Sequence, residues 1–531
     1  MPHITGVPTL LSSASVDENI QNVFGPIVDF LEEIVFFAVP VGGADLPLLI
    51  VWLICAGVFL TFWLRIRPFR DLKLSLSIIR GHYCRHSDPG QVTSFQALAT
   101  ELSGTVGLGN IAGVAVAITI GGPGATLWII LAGLLGMAVK MSEATLAQKF
   151  RILHEDGTVS GGPMYYLRDG LKSIGRPKLG KVLGFTFATG MMIAVMGAGN
   201  IFQSNQITAQ IINTTGGSDS PLAGNGWIIG AGLALVTGVV ILGGITSIAR
   251  ITSRLVPFMA VTYMGCVLVI LGANYSAIPE AIGVIFSNAF TGEGVSGGVI
   301  GVAIIGIQRA LFSNAAGVGT AGMAHSASKN KRPAEEGFVA AWEPFIDSVV
   351  ICTMTALAII VTGVYTESES DGVALTTEAF ATVTDSFTLL LTASIVLFGF
   401  STILSFSYYG KKTAGYVFGQ SKTVERVYDA VYLVMIVVGA SVSLDTVVRF
   451  SDAMFFLVTV PNLLGIYFLA KVLRREIFDQ RDGMRTGAIP IVPIDERSTI
   501  FGEKMAEKMA RNRKAEGVKP VAQGSLKRAR E

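Results

Sequence analysis

The chain has 531 residues, of which 51% are hydrophobic and 15% charged, with a mean hydropathy of +0.58 and a net charge of +2. Soluble domains carry about 25% charged residues, so this composition excludes a soluble enzyme or a nucleic-acid-binding protein. It marks an all-α polytopic protein whose solvent is the lipid bilayer. The four cysteines (Cys55, Cys84, Cys266, Cys352) are scattered without a CxxC pair, which implies neither a disulfide framework nor a zinc site.

In chain order, residues 1–46 contain no Lys or Arg, which a secretory signal peptide would need. Ile20, Val23, Phe24, Ile27, Leu31 and Ile34 recur at helical spacing, broken by Asp29, Glu32 and Glu33. That pattern predicts an amphipathic helix lying on the membrane. Eleven segments then reach the roughly 20 residues needed to span: 47–64, 96–120, 124–148, 183–213, 227–246, 254–273, 298–324, 337–363, 387–409, 424–446 and 449–471. Of the 40 basic residues, all but Lys140, Arg309 and Arg449 fall in alternate connections or in the tail from Lys471. The positive-inside rule therefore places the N-terminus outside and the C-terminus in the cytoplasm. Residues 499–515 would form a short surface helix or a solvated basic tail.

Two spans are interrupted by glycine. The second contains Ser103-Gly104-Thr105-Val106-Gly107-Leu108-Gly109-Asn110-Ile111-Ala112-Gly113, and the seventh contains Phe312-Ser313-Asn314-Ala315-Ala316-Gly317-Val318-Gly319-Thr320-Ala321-Gly322. A glycine inside a helix costs about 1 kcal/mol relative to alanine, and in lipid every freed backbone group must find a partner. Small residues for close helix contact would account for one such stretch. Two breaks at matched positions five spans apart point instead to inverted halves around a substrate site, because an odd offset reverses the direction of entry. A half-helix starting at a break presents free N–H groups to a carboxylate. One ending there presents carbonyls to a cation. A zwitterion needs both.

Polar residues inside the other spans are few. The fourth has Asn200, Gln203, Ser204, Asn205 and Gln206, and the ninth has Ser394, Ser401, Thr402 and Ser405. Lys140 and Glu143 are spaced as a structural pair, and Arg309 needs a partner for which Asp347 or Glu343 are candidates. His82-Tyr83-Cys84-Arg85-His86 has metal-capable side chains but no second ligand cluster. No Walker motif, Ser–His–Asp set or HExxH occurs, which disfavours an integral-membrane enzyme. A channel would more often be a symmetric oligomer with filter rings. A secondary symporter is the best reading, coupled to Na⁺ or, with Glu343 or Asp347 as relay, to H⁺.

These motifs, together with Gly161-Gly162-Pro163-Met164-Tyr165-Tyr166, Asn200-Ile201-Phe202-Gln203-Ser204-Asn205, Arg309-Ala310-Leu311-Phe312-Ser313-Asn314, Phe345-Ile346-Asp347 and Ser407-Tyr408-Tyr409-Gly410, closely resemble the alanine or glycine:cation symporter family over roughly residues 95–475. The resemblance implies Na⁺-coupled uptake of small neutral amino acids, with Na⁺ as coupling ion and no organic cofactor. It also implies a LeuT-type fold of two inverted five-helix repeats, each opening with a broken helix. Many members carry Glu where Ala315 stands and an acid where Lys411 stands. The expected organisation is an extracytoplasmic segment 1–46, an extra span and basic loop 47–95, repeats at 96–273 and 298–471, and a basic tail 472–531. The expected location is a bacterial or archaeal inner membrane.

The expected site follows from the breaks. The substrate carboxylate would sit on the N–H groups of Gly107 and Leu108, near Thr105 and Asn110. Its amino group would face carbonyls around Ser313 to Ala316, with Asn314 and Gly317 at the same break. Gln203 would add a polar contact and Phe312 a wall limiting side-chain size. A Na⁺ would take the carbonyls of Ser103, Val106 and Phe398 with the hydroxyls of Ser401 and Thr402. A second ion would touch Thr105, Asn110 and Ser313, with no matched ligand on the eighth span.

Overall fold

The computed structural model describes residues 26, 29–41, 43–291, 297–367, 372–384, 386–441 and 444–499. Most of the expected N-terminal amphipathic helix and the expected 499–515 helix lie outside that set, although residues 29–35 are helical. A short antiparallel hairpin, Ala38–Val41 with Ala44–Pro47, leads into the first apolar helix, Leu48–Trp63. Among the described residues, six helices are long and apolar enough to cross a membrane: Ala125–Lys149, Pro177–Thr214, Gly244–Ala273, Pro333–Thr362, Ser386–Phe418 and Asp452–Thr486. A seventh crossing is the pair Ser94–Thr105 and Gly109–Gly121, bent by 52°. Leu48–Trp63, Gly226–Ile241 and Gly298–Asn314 are shorter apolar helices.

The bundle carries its apolar side chains on both surfaces, as lipid requires. Leu235, Val239 and Leu242 point outward and are more than two-thirds exposed, while the polar residues of the spans turn inward. Small residues permit close approach between helices: a Cβ at Gly306 would lie 2.5 Å from the Ala125 carbonyl oxygen. Ala125–Lys149 runs through the middle of the bundle and packs against both broken helices and Pro333–Ala340. Two connections that the hydropathy pattern leaves as loops contain helices, Ile278–Thr291 and Gly372–Ala381. The latter is held on the first break, where Thr376 donates to the Ile111 carbonyl at 3.2 Å. Both are too short to span, so a window of transmembrane length passes over them.

Candidate functional site

The first broken helix begins with a capping box between Thr93 and Gln96 and ends where Val106 turns extended (φ −73°, ψ 103°). The chain resumes in a wide turn at Gly109–Gly113 and continues as Val114–Gly121. Asn110 folds back over the gap. Its Oδ1 accepts the Gly107 N–H at 2.7 Å, and its Nδ2 donates to Asp347 Oδ1 at 2.7 Å.

The second break follows Gly298–Asn314. Ala315 is left-handed (φ 51°), Gly317 and Gly319 have φ of 97° and 93°, and the chain re-enters a helix at Thr320–Ser326. Glycine is required at position 319, since a Cβ there would lie 2.4 Å from Pro163 Cγ. The freed backbone is satisfied by buried side chains. Gly317 N–H donates to Glu143 Oε1 at 2.9 Å, and Asn462 Nδ2 donates to the Gly317 carbonyl at 2.7 Å. Asn314 Oδ1 accepts the Ala316 N–H at 2.9 Å, and its Nδ2 donates to Ser348 at 2.9 Å.

Between the two breaks lies a cavity of about 30 Å³. Six of the expected substrate residues line it: Thr105, Gly107, Leu108, Gln203, Phe312 and Ser313. Gln203 Oε1 is buried there with no hydrogen-bond partner among the described residues. An unpaired buried acceptor is costly, and a donor in the cavity would satisfy it. Asn110, Asn314 and Gly317 are not among the lining residues. They stand behind the cavity and hold the breaks in shape. The lining includes two aromatic residues that the sequence did not single out, Phe406 and Phe455, whose rings stack at 6.1 Å, with Phe312 at 6.0 Å from Phe455. Phe406 was findable, since it lies four residues beyond Thr402 on the same helix face; nothing local marks Phe455.

Gly199 sets the position of that wall, because a Cβ there would fall 2.0 Å from Phe406 Cδ1. Gly199→Ala is expected to push the ring into the cavity. Overpacking costs about 1–3 kcal/mol, so binding of a small ligand in the cavity should weaken about tenfold or more, as read by equilibrium binding.

Beside the cavity, the expected cation ligands converge from two helices. Thr402 Oγ1 lies 3.0 Å from the Ser103 carbonyl oxygen and 3.1 Å from that of Phe398; Ser401 Oγ lies 3.3 and 2.8 Å from the same two oxygens. These four oxygens suit a hard cation without bringing a full negative charge. The fifth, the Val106 carbonyl, belongs to the extended residue that closes the first half-helix.

The charged residues pair differently from expectation. Lys140 turns from Glu143 and meets Glu101 at 2.5 Å, Thr320 at 3.2 Å and Glu343 at 3.4 Å, all fully buried. Glu143 serves the second break instead. Asp347 is not the partner of Arg309: its carboxylate accepts from Asn110, from Ser313 at 2.9 Å and from Ser348 at 2.9 Å, so it links the two breaks. The field of Arg309 acts on Asp452. At the end of the bundle bearing the basic loops, Arg151 donates to the carbonyls of Pro89, Ser326, Ser328 and Asn330 at 2.6–2.8 Å. That fastens the outer end of the second broken helix to the loop before the first. His82–Cys84–His86 gather no cluster of metal-ligating side chains among the described residues.

A family profile described as the sodium:alanine symporter family matches residues 31–492. The chain belongs to that family. It is 38% identical to the sodium/alanine symporter AgcS of Methanococcus maripaludis, over 81% of this chain and 93% of that protein. It is 31% identical to a Bacillus subtilis protein named "Probable sodium/glutamine symporter GlnT", over 84% of this chain and 90% of that protein. Among solved structures it resembles MhsT, crystallised with L-phenylalanine, with a TM-score of 0.52 at 14% identity, covering 73% of this chain and 98% of that one. That likeness shows a LeuT-type fold. As a member of a symporter family with several apolar helices, the chain is a multi-pass membrane transporter.

Proposed function

We propose that this symporter couples Na⁺ entry to uptake of small neutral amino acids, alanine and glycine foremost, by alternating access. It has eleven spans in this reading: one extra span at 47–64 and inverted five-helix repeats at 96–273 and 298–471. Residues 1–46 lie outside the inner membrane of a bacterium or archaeon, and the tail 472–531 lies in the cytoplasm. The observation that carries the reading is the meeting of Ser103 and Phe398 carbonyls with Ser401 and Thr402 hydroxyls beside the cavity. An ion held there joins the first repeat to the second. By linkage, an ion that favours the substrate-competent state raises substrate affinity, and substrate raises ion affinity by the same factor.

The substrate carboxylate faces the N-terminal end of the resumed first helix at Leu108, where the helix dipole favours an anion. The Gly107 N–H is already given to Asn110. The ammonium group finds the Gln203 acceptor and the carbonyls of the second break. Phe312, Phe406 and Phe455 leave room for a small side chain only. Gln203→Ala is expected to weaken alanine binding about tenfold, the value of one charge-assisted hydrogen bond, and Phe312→Ala to admit leucine. Wild-type behaviour of both variants toward alanine and leucine would place the pocket elsewhere.

Asp347 supports a second reading. A fully buried intramembrane carboxylate that touches both breaks is the ligand missing from the eighth span for a second cation, or a proton relay. Exchanging Na⁺ for choline at fixed pH separates the two: uptake that survives and follows pH belongs to the proton.

Orientation has its own test. In intact cells, a single Cys at position 368 should react with an impermeant maleimide, and one at position 173 should not. The reverse labelling would overturn both the topology and the inverted repeat.

A further inference from the structure

His325 sits on the last turn of Thr320–Ser326, fully buried. Both of its ring nitrogens face carboxylates: Nδ1 lies 2.6 Å from Glu336 Oε2 and Nε2 lies 2.5 Å from Glu343 Oε1. Each contact needs a hydrogen between the atoms, since two lone pairs at that distance repel. A neutral imidazole supplies one hydrogen and accepts at the other nitrogen, while an ionised carboxylate supplies none. The three groups therefore hold one proton more than a neutral histidine and two carboxylates would. We infer that Glu336, His325 and Glu343 form a proton-binding site, and that the bound proton clamps the second broken helix shut at its basic-loop end.

The surroundings are consistent with a cation at His325. From Ala125–Lys149, Lys140 touches the other side of Glu343, and Glu143 lies one turn away at the second break. From Ser94–Thr105, Glu101 pairs with Lys140, and Ser94 donates to Glu336 Oε1 at 2.6 Å. From Ser386–Phe418, Tyr409 donates to Glu101. Glu335, also buried, pairs with Arg332 and Cys84 and not with His325, and Arg151 lies in the field of Glu336. With His325 doubly protonated, three carboxylates (Glu101, Glu336, Glu343) face two cations. With it neutral they face one, which burial penalises heavily.

The clamp has a mechanical consequence. Glu336 and Glu343 belong to the Pro333–Thr362 stretch, whereas His325 rides on the half-helix that closes the second break. Any movement that frees this half-helix separates the imidazole from both acids and exposes the proton to water. Release toward the basic-loop side is thus linked to loss of one proton, and raising the pH favours opening.

Glu336→Gln is the discriminating variant. Its amide Nε2 can donate to a neutral His325 Nδ1, and its Oε1 can keep the bonds from Ser94 and from Asn330 Nδ2, now 3.1 Å away. The geometry survives with one proton fewer. In purified protein whose other four histidines (His3, His82, His86, His154) are replaced, ¹⁵N spectra at neutral pH should show both His325 nitrogens protonated in the wild-type triad and one bare nitrogen in Glu336→Gln. In proteoliposomes at saturating Na⁺ and alanine, uptake by the unmodified chain should change with pH by up to tenfold per unit across the titration, and Glu336→Gln should be flat. A bare nitrogen in the wild-type triad, with carboxyl ¹³C shifts showing both Glu336 and Glu343 ionised, overturns the proposal, as does an unchanged pH profile in a transporting Glu336→Gln. The spectra need no substrate, so a chain that fails to carry alanine counts against the proposed function and leaves the proton site standing.

Discussion

Replacing Lys140 with methionine is expected to remove most of the folded protein. Its ammonium group is fully buried, 2.5 Å from Glu101 and 3.4 Å from Glu343, with Thr320 as a third contact. Methionine fills a similar volume but takes from Glu101 the cation it pairs with and from Glu343 one of two, the other being His325. Breaking a buried pair from one side costs about 3–5 kcal/mol, a large fraction of the roughly 5–15 kcal/mol by which domains are stable. The thermal transition of the detergent-purified variant should fall sharply, with most material eluting as aggregate. Adding Glu101→Gln should recover part of the loss, because one uncompensated charge goes with it. The Tyr409 and Thr320 hydroxyls can still bond the amide. A Lys140→Met protein that melts like the parent would mean that the carboxylates are protonated and the charge is dispensable.

Removing the hydroxyls of Ser401 and Thr402 together should have the largest effect on coupling. These side chains supply two of the four oxygens that meet beside the cavity, and both lie on the helix opposite the first break. Each lost ligand is worth about 1.4 kcal/mol if it counts as a charge-assisted bond, so the double alanine variant should need about a hundredfold more Na⁺ for half-maximal alanine binding. Thr402→Ala alone should need about tenfold more. The helix itself should tolerate both changes, because each hydroxyl also bonds the Phe398 carbonyl within its own helix, a local bond with little net stability. Alanine binding that ignores Na⁺ in the parent and follows pH would move the coupling to Asp347.

The breaks and the hydroxyl pair are legible in the sequence because their signals are local. Four glycines within eleven residues of an apolar run weaken a regular helix by about 1 kcal/mol each, and two adjacent hydroxyls in a span look inward. Hydropathy likewise marks the long spans, and the basic residues order the connections. The same local reading groups Gly317 with Gly107, whose glycine pattern it shares, yet its backbone is committed to Glu143 and Asn462 and it is not among the residues lining the cavity.

Sequence by itself determined that the chain lives in lipid, where its helices break, which hydroxyls turn toward the first break and which family it resembles. Apolar length, glycine and motif order are properties of neighbouring residues, and a chain too apolar for water has few alternatives. Only the tertiary structure decided which charge meets which. Lys140 chooses Glu101, 39 positions away, over Glu143 on its own face, and His325 bridges two acids on another helix. Phe455 closes a cavity begun some 350 residues earlier at Thr105. Helical periodicity states which face a side chain occupies, but burial of an ion is tolerable only where folding delivers a counter-charge. That delivery depends on how the helices pack.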